Sequence, residues 1–277
     1  MPPLQPTHAM DRDEPVDSQF TLLGRWLMTR FRRLTQVAIL LSEVVVSLPM
    51  LRNRSISMVF LRQIYFSGIQ AIKIIVPLSI AIGTVIIAQI ISLVGADNAS
   101  LIGKVLFWTI VREVGPLLTA MIIIARSGAA IAAELGTMKI HGEIDCVKAM
   151  GISTTAYLVL PRLMGAVFSA FVLTLYFEGG AILGGFLVVS LGWHLPIEQF
   201  YQGLYAAINL QQLLLSAFKS LLFGVTISTA CCIQGLSVER SATMIPQAAS
   251  KGVMQSLLWV FILDGAITII PQILIKL

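Results

Sequence analysis

Two adjacent charged residues, Arg112 and Glu113, lie inside an otherwise apolar run that begins near residue 104. A residue about eight positions into such a helix lies roughly 12 Å from its start. Charges at that depth are costly unless they pair or face a polar cavity, so they point to function. Neighbouring helical residues point about 100° apart. We therefore expect each charge to need its own partner, or both to line a polar cavity.

Pro116 follows Arg112 by four residues. A proline has no amide to donate to the carbonyl of Arg112, so the helix is expected to kink at this point. Two interpretations of the charged pair remain open. It either lines a translocation path or forms a buried ion pair that only fixes helix packing.

Other ionisable residues fall within apolar runs. Three of them lie deep enough to complete a polar network with Arg112 and Glu113, namely Glu178, Lys219 and Asp264. For each, bonding between helices is as good an explanation as contact with a ligand. Arg126 lies near one end of its run, where a long side chain reaches the membrane surface, and it is interpreted as a snorkelling anchor.

The composition is that of an integral membrane protein. Of 277 residues, 57% are hydrophobic and 12% are charged, about half the charge of a soluble domain. The net charge of +5 does not indicate nucleic-acid binding. Ten of the 19 Lys and Arg residues precede residue 105, where basic amphipathic segments favour anionic lipid, and no nucleic-acid recognition motif occurs. The three cysteines and three histidines have no metal-ligand spacing, so no metal site is expected.

The fold expected is an all-α integral membrane protein with about five transmembrane helices, preceded by N-terminal interfacial amphipathic helices. A crossing needs about 20 apolar residues. Five stretches qualify: 68–94, 104–128, 156–189, 211–235 and 253–275. Residues 1–19 are expected to be a mobile cytosolic tail, residues 20–66 to form interfacial helices, and residues 67–277 to form the five-span domain. The placement of Lys and Arg predicts a cytosolic N-terminus and a C-terminus on the far side.

Several details of this topology remain open. Residues 34–51 either continue the surface helix, which we favour, or form a short span. The third span is about 50 Å long if helical. It must therefore tilt and protrude, or break near Glu178-Gly179-Gly180. Residues 95–103 and 190–210 are expected to be loops.

A charged segment at about 139–150 is too polar to span a membrane. Its apolar residues recur at helical spacing and Gly151 provides a stop, which predicts a short cytosolic amphipathic helix that lies on lipid or docks on a partner. Its polar and terminal residues are Lys139, His141, Glu143, Asp145, Lys148 and Met150. Small residues at four-residue spacing favour close helix packing at two other places. These are Gly128 with Ala132, and Gly180 with Gly184.

No hydrolytic motif is present. The surroundings of Gly103-Lys104 lack the remaining residues of a phosphate-binding loop. If the protein drives transport with ATP, another chain must supply the ATPase.

Several motifs resemble the permease family of MlaE, YrbE and the chloroplast TGD lipid permease. They are Arg112-Glu-Val-Gly-Pro116, the run from Ala125 to Met138, Glu143-Ile-Asp145, Ala149-Met-Gly151 and Leu160-Pro-Arg162. Weaker matches are Lys219-Ser-Leu-Leu-Phe-Gly224, Gln234-Gly-Leu236 and Leu263-Asp264. The resemblance covers about residues 55–277.

The resemblance implies a homodimeric, non-catalytic membrane subunit of an ABC transporter in a bacterial inner membrane. It implies phospholipid as substrate and separate ATPase subunits that bind ATP and Mg²⁺, with no cofactor in this chain. It also implies a periplasmic MCE-domain protein and, often, a STAS-domain protein. The segment at 139–150 would be the ATPase-coupling helix. Arg112, Glu113 and Lys219 match positions that would line or support a lipid cavity.

Two other classes are weighed against this one. A secondary transporter would use Glu113, Glu178 or Asp264 as proton carriers, but the chain shows no internal repeat of the kind that such folds contain. A membrane scaffold would have no cavity of its own.

Overall fold

The computed structural model describes residues 35, 37–95, 98–191, 196–239, 241 and 243–276. The chain divides into two compact units, residues 1–40 and residues 41–277. In the first unit, the described residues 35 and 37–40 are helical. The expected tail at 1–19 and the expected interfacial helix at 20–33 lie outside the described residues. The rest of this section concerns the second unit.

The second unit is helical, and no strand occurs in its described part. Its main helices are α1 (Arg54–Val94), α2 (Ala99–Ile140), α3 (Glu143–Ala149), α4 (Thr155–Ser190), α5 (Ile197–Ala207), α6 (Leu210–Leu236) and α7 (Met244–Lys276). Five of them, α1, α2, α4, α6 and α7, are long and apolar enough to cross a membrane. The five predicted spans are thus confirmed, although α1 begins well before its predicted start and α2 extends beyond both predicted ends. The expected loop at 95–103 was therefore wrong for its second half, which is helical from Ala99.

The segment before the first span forms two helical pieces. Residues 41–47 are helical and lead into a short 3-10 helix, Leu48–Arg52, which contains Pro49. Glu43 accepts a hydrogen bond of 2.7 Å from the hydroxyl of Thr155 at the start of α4. The amphipathic residues 56–66 are continuous with the first span, because α1 passes through a π-helical turn, Tyr65–Ile69, without ending.

Helix α4 lies at the centre of the bundle. In its most apolar stretch 67% of the residues are buried, against 11% for α7. It runs through Glu178-Gly179-Gly180 without a break, so the break considered above does not occur. Gly180 and Gly184 lie against α1. A methyl group on Gly184 would clash with the backbone carbonyl of Ile80, so glycine allows the two helices to approach closely there.

The second pair of small residues lies between α2 and α6. A Cβ atom on Gly128 would lie 3.0 Å from the Cys231 sulfur. One turn further along α2, Ala132 is fully buried, and its carbonyl would lie 2.8 Å from a Cβ atom on Gly235. Small side chains therefore determine the contact distance along this seam.

The expected loop at 190–210 contains a helix, so that prediction was wrong for most of the segment. In α5, Phe200, Gly203 and Ala207 are buried. Gly203 packs directly on the backbone of Ser100 at the start of α2. The apolar spacing of i, i+3 and i+7 is helical, but the segment is too short to span a membrane.

The expected single helix at about 139–150 is two elements, which is a second correction. Helix α2 continues to Ile140, and the chain then turns at Gly142, which has φ of +76°. This left-handed conformation costs glycine little and other residues more. Lys139 therefore belongs to α2, where its ammonium donates to the Leu236 carbonyl at the end of α6.

Candidate functional site

The charged pair of α2 lies on a π-helical turn, Ile110–Val114. The amide of Gly115 donates to the carbonyl of Ile110, five residues earlier. Pro116 has no amide for the carbonyl of Arg112, as the sequence predicts. The structure shows what replaces it, because the ammonium of Lys219 on α6 donates to that carbonyl at 2.9 Å. Such turns inside α-helices often occur at functional sites.

Lys219 is the centre of a polar cluster and its side chain is fully buried. Besides the Arg112 carbonyl, its Nζ contacts three side chains on α2 and α7. The distances are 3.0 Å to Glu113 Oε2, 2.8 Å to Asp264 Oδ1 and 2.9 Å to Thr268 Oγ1. Four acceptors therefore surround an ammonium that has three protons to donate. We call Arg112, Glu113, Lys219, Asp264 and Thr268 the Lys219 cluster.

Thr268 was missed by the sequence analysis. Its hydroxyl lies 3.1 Å from both carboxylate oxygens of Glu113, to which it donates. It follows Asp264 by four residues, so the two side chains share one face of α7. That spacing was the available signal, but a threonine inside an apolar span usually bonds to its own helix.

Arg112 and Glu113 contact each other directly. The distance between Arg112 Nε and Glu113 Oε1 is 3.4 Å. The expectation that adjacent residues would need separate partners was therefore incomplete. Glu113 pairs with its neighbour Arg112 and also with residues of other helices, because Lys219 and Thr268 bind it from the other side.

The cluster is electrically balanced and open on one side. Its two cations, Arg112 and Lys219, are matched by two carboxylates, Glu113 and Asp264. The exposed fraction of the side chain rises from 0% for Lys219 to 14% for Asp264, 24% for Arg112 and 35% for Glu113. The guanidinium of Arg112 and the carboxylate of Glu113 thus form the exposed side of the cluster, and Lys219 forms its buried side. The two exposed groups can therefore contact a polar group at mid-depth of the bundle.

Glu178 lies apart from this cluster. It is almost fully buried, accepts a hydrogen bond from the hydroxyl of Ser216 on α6 and packs beside Gly115. It joins α4 to α6 and does not complete the network that the sequence analysis considered. Lys219 and Asp264 do join that network.

Arg126 is half-buried rather than extended into solvent. It lies on another π-helical turn of α2, Ile124–Gly128, and donates to the amide oxygen of Gln70 on α1. Its guanidinium carbon also lies 5.3 Å from the centre of the Phe66 ring. Arg126 therefore bonds to α1, and its interpretation as a snorkelling anchor stays a prediction.

The segment around α3 presents most of its polar residues outward. Ile144 and Val147 are buried, whereas Met150 at the end of the segment is 66% exposed. The polar side chains of the segment are also exposed, namely Lys139, His141, Glu143, Asp145 and Lys148. Within the described ranges, no group of three His, Cys, Asp or Glu residues could hold a metal ion.

The fold and this site define a polytopic helical membrane protein with a charged cluster at mid-depth. The family model described as Permease MlaE matches residues 60–270. The chain therefore belongs to the MlaE permease family.

Several characterised or named proteins are similar to the chain. The intermembrane phospholipid transport system permease protein MlaE of Haemophilus influenzae is 26% identical over 251 residues, covering 90% of this chain and 95% of the relative. A probable ABC transporter permease protein of Synechocystis sp. is 32% identical over 58% of this chain and 61% of its own length. Protein TRIGALACTOSYLDIACYLGLYCEROL 1, chloroplastic, of Arabidopsis thaliana is 28% identical over 59% of this chain and 47% of its own length.

Proposed function

We propose that this chain is the non-catalytic membrane subunit of an ABC transporter that moves phospholipids between the inner and outer membranes of a bacterial cell. The observation that carries this proposal is the family match over residues 60–270. It is supported by the relative from Haemophilus influenzae, whose name states intermembrane phospholipid transport and which this chain matches over 95% of its length.

The Lys219 cluster fits a lipid-handling role. The apolar surfaces of the spans would hold acyl chains, while Arg112 and Glu113 would offer charge to a headgroup at mid-depth. Lys219 and Asp264 would hold these two residues in place, since Lys219 bonds to the Arg112 carbonyl and to the Glu113 carboxylate. Glu178 lies apart from the cluster and would hold α4 against α6 through its bond to Ser216.

The segment around α3 would transmit motion from the ATPase. In the proposed complex, two copies of this chain form a homodimer on two ATPase subunits, which bind ATP and Mg²⁺. An MCE-domain protein binds on the periplasmic side, and a STAS-domain protein accompanies the ATPase. The exposed Met150 and Ile152, beside the charged face of α3, would give the ATPase an apolar contact. The distribution of Lys and Arg favours α3 in the cytosol and the C-terminus in the periplasm.

Affinity purification of the tagged chain from its native membranes, with mass spectrometry of the proteins that co-purify, tests the assembly. Recovery of an ATPase and an MCE-domain protein in comparable amounts is the expected result. Recovery of the chain alone, in a detergent that preserves other ABC complexes, would contradict it. Gradient-driven transport by the chain alone, without nucleotide, would instead establish the secondary transporter.

Glu113→Ala tests the site. Lys219 keeps three of its four acceptors in this variant, so the complex should assemble normally. ATP-dependent transfer of a fluorescent phospholipid from proteoliposomes should fall about tenfold, because a hydrogen bond to a charged group contributes about 1.5–3 kcal/mol. Glu198→Ala, which removes an exposed carboxylate from α5, is the matched control. Normal transfer by a well-assembled Glu113→Ala complex would exclude this role for Glu113.

A further inference from the structure

A second polar site lies where the start of α1, the last third of α2 and the start of α4 meet. These three segments line an open cavity of about 410 Å³, within the 300–1,000 Å³ typical of ligand pockets. Its walls combine charged side chains with apolar and aromatic ones. The residues that matter to the argument are Arg62, Phe66, Glu134, Tyr157, Leu158 and Arg162.

Arg162 forms a fixed, buried wall of this cavity. Its side chain is 5% exposed. One guanidinium nitrogen donates to the Leu158 carbonyl at 2.8 Å, and the other lies 3.1 Å from a carboxylate oxygen of Glu134. The charge of Arg162 is therefore matched within the protein by Glu134, which leaves no net charge on this wall.

Arg62 is the charge that the cavity leaves unmatched. Its side chain is exposed, and no hydrogen bond or ion pair joins it to another part of the described chain. A second cation lies behind the same wall. The guanidinium of Arg126 sits over the ring of Phe66, and its Nη1 atom is buried without a hydrogen-bond partner among the described residues. The cavity walls thus carry two guanidinium groups, Arg62 and Arg162, and one carboxylate, Glu134. This excess of positive charge, with Arg126 behind Phe66, favours an anion.

The cavity lies beside the start of the apolar run of α1, where lipid headgroups are expected. The apolar run of α1 begins near residue 68, so Phe66 and Arg62 lie roughly 3 Å and 9 Å outside it along the helix axis. Headgroup layers extend about 5–8 Å beyond the hydrocarbon core on each side. Phe66 falls within this layer, and Arg62, just beyond it, reaches back with its long side chain. Phe66 and Leu158 provide an apolar wall at the inner end, and Arg62 provides charge at the outer end.

We propose that this cavity binds a phosphate ester that carries an adjoining apolar group, with Arg62 as the residue that recognises the phosphate. At this depth the source is the headgroup of a membrane phospholipid, and a soluble phosphate ester is the alternative source. A guanidinium binds phosphate through two parallel N–H groups, which suits it to this role. The site is separate from the Lys219 cluster, and the inference goes beyond the proposed function because binding here does not require transport.

Photolabelling of the full chain in nanodiscs, together with any subunits that co-purify, tests this inference. The probe is a phosphatidylglycerol that carries a diazirine on an acyl-chain carbon close to the ester carbonyl. A diacylglycerol with the same diazirine is the phosphate-free probe. Mass spectrometry then measures labelling of peptides that contain Phe66, Tyr157 or Leu158.

The expected result is labelling by the phospholipid that falls about tenfold in Arg62→Gln, because a hydrogen bond to a charged group is lost. Arg54→Gln removes an exposed arginine from the same helix outside the cavity, so it should label like the natural chain. An excess of sn-glycerol 3-phosphate separates the two sources. Labelling that persists identifies the membrane lipid, whereas labelling that disappears identifies a soluble phosphate ester.

Equal labelling of Arg62→Gln and the natural chain would overturn the proposal, and so would equal labelling by the diacylglycerol probe. Size-exclusion profiles of both variants exclude a folding defect, which is not expected for an exposed side chain. Lipid transport is measured separately. If Arg62→Gln loses labelling and keeps normal transport, the result supports this site and leaves the proposed function intact. If Arg62→Gln labels normally and transport is absent, the result argues against this site, on which the proposed function does not depend.

Discussion

The two charged regions of this bundle differ in how completely their charges are paired. In the Lys219 cluster, two cations and two carboxylates balance, and Lys219 is surrounded by four acceptors. In the cavity at the start of α1, Arg162 and Glu134 pair, but Arg62 has no partner among the described residues. The first region is closed at its core, and the second has an unmatched charge at an open wall. The paired charges of the first region hold helices together, whereas the unpaired charge of the second is available to a ligand.

Both regions depend on α2. This helix carries Arg112 and Glu113 on one π-helical turn, Arg126 on another, and Glu134 two turns further on. Each π-helical turn adds a residue to the helix and so changes the direction of the side chains that follow it. One continuous helix thereby contributes to two different polar sites.

Replacement of the central lysine should have the largest effect on the closed cluster. Lys219→Met leaves Glu113 and Asp264 facing each other without the cation between them, and removal of one partner from a buried ion pair costs about 3–5 kcal/mol. We expect a large loss of resistance to unfolding in a titration with sodium dodecyl sulfate. Lys251→Met, which replaces an exposed lysine on α7, is the control and should unfold like the natural chain.

A double variant distinguishes lost charge balance from lost packing. Lys219→Met with Asp264→Asn removes one charge of each sign and keeps the Arg112–Glu113 pair. It should be more stable than Lys219→Met alone. If the two variants unfold at the same detergent fraction, charge balance is not what stabilises the cluster.

A methyl group at the α1–α4 seam should have an intermediate effect. Gly184→Ala places a Cβ atom on the backbone carbonyl of Ile80, which cannot move aside as a side chain can. Overpacking of this kind costs about 1–3 kcal/mol, measured by the same titration. Gly184→Ala should also reduce lipid labelling at the cavity, because α1 and α4 both line the cavity. The Lys219 cluster should be less affected, because it lies on α2, α6 and α7.

Gly179 provides the matched control for that substitution. It precedes Gly184 by five residues on α4, and nothing lies within 4 Å of the position of its Cβ atom. Gly179→Ala should therefore be neutral or slightly stabilising, since alanine favours a helix by roughly 1 kcal/mol over glycine. Equal destabilisation by both variants would show that the close contact at Gly184 does not cause the loss of stability in Gly184→Ala.

Loss of the carboxylate at the open site should have the smallest effect on stability. Glu134→Gln removes the ion pair of Arg162, but Glu134 is 58% exposed, so water reaches this end of the pair. We expect a loss of about 1 kcal/mol, well below that of Lys219→Met. Glu143→Gln on α3 is the control, and a loss as large as that of Lys219→Met would contradict the contrast between the two regions.

The sequence by itself determined the class of protein, the five spans and the residues of the charged pair. Apolar runs of more than 20 residues must be helices in lipid, because every backbone group needs a partner within the segment. The same physics identified Arg112, Glu113, Lys219 and Asp264, since charges in such runs are costly wherever they occur. Pro116 also removes the usual amide partner of the Arg112 carbonyl, and the kink expected there stays a prediction.

Only the tertiary structure decided which of these groups meet. Periodicity gives the face of a helix but not its rotation or height against its neighbours, so the separation of Glu178 from the Lys219 cluster was not predictable. The bond from Lys219 to the Arg112 carbonyl joins residues that are 107 positions apart in the sequence. Thr268 differs from other threonines in the spans only because Glu113 lies opposite it. The division of the 139–150 segment at Gly142 and the helix at Ile197–Ala207 depend likewise on local contacts. The polar composition of these segments does not by itself predict a helix, because a short helix is stabilised mainly by the surface it packs against.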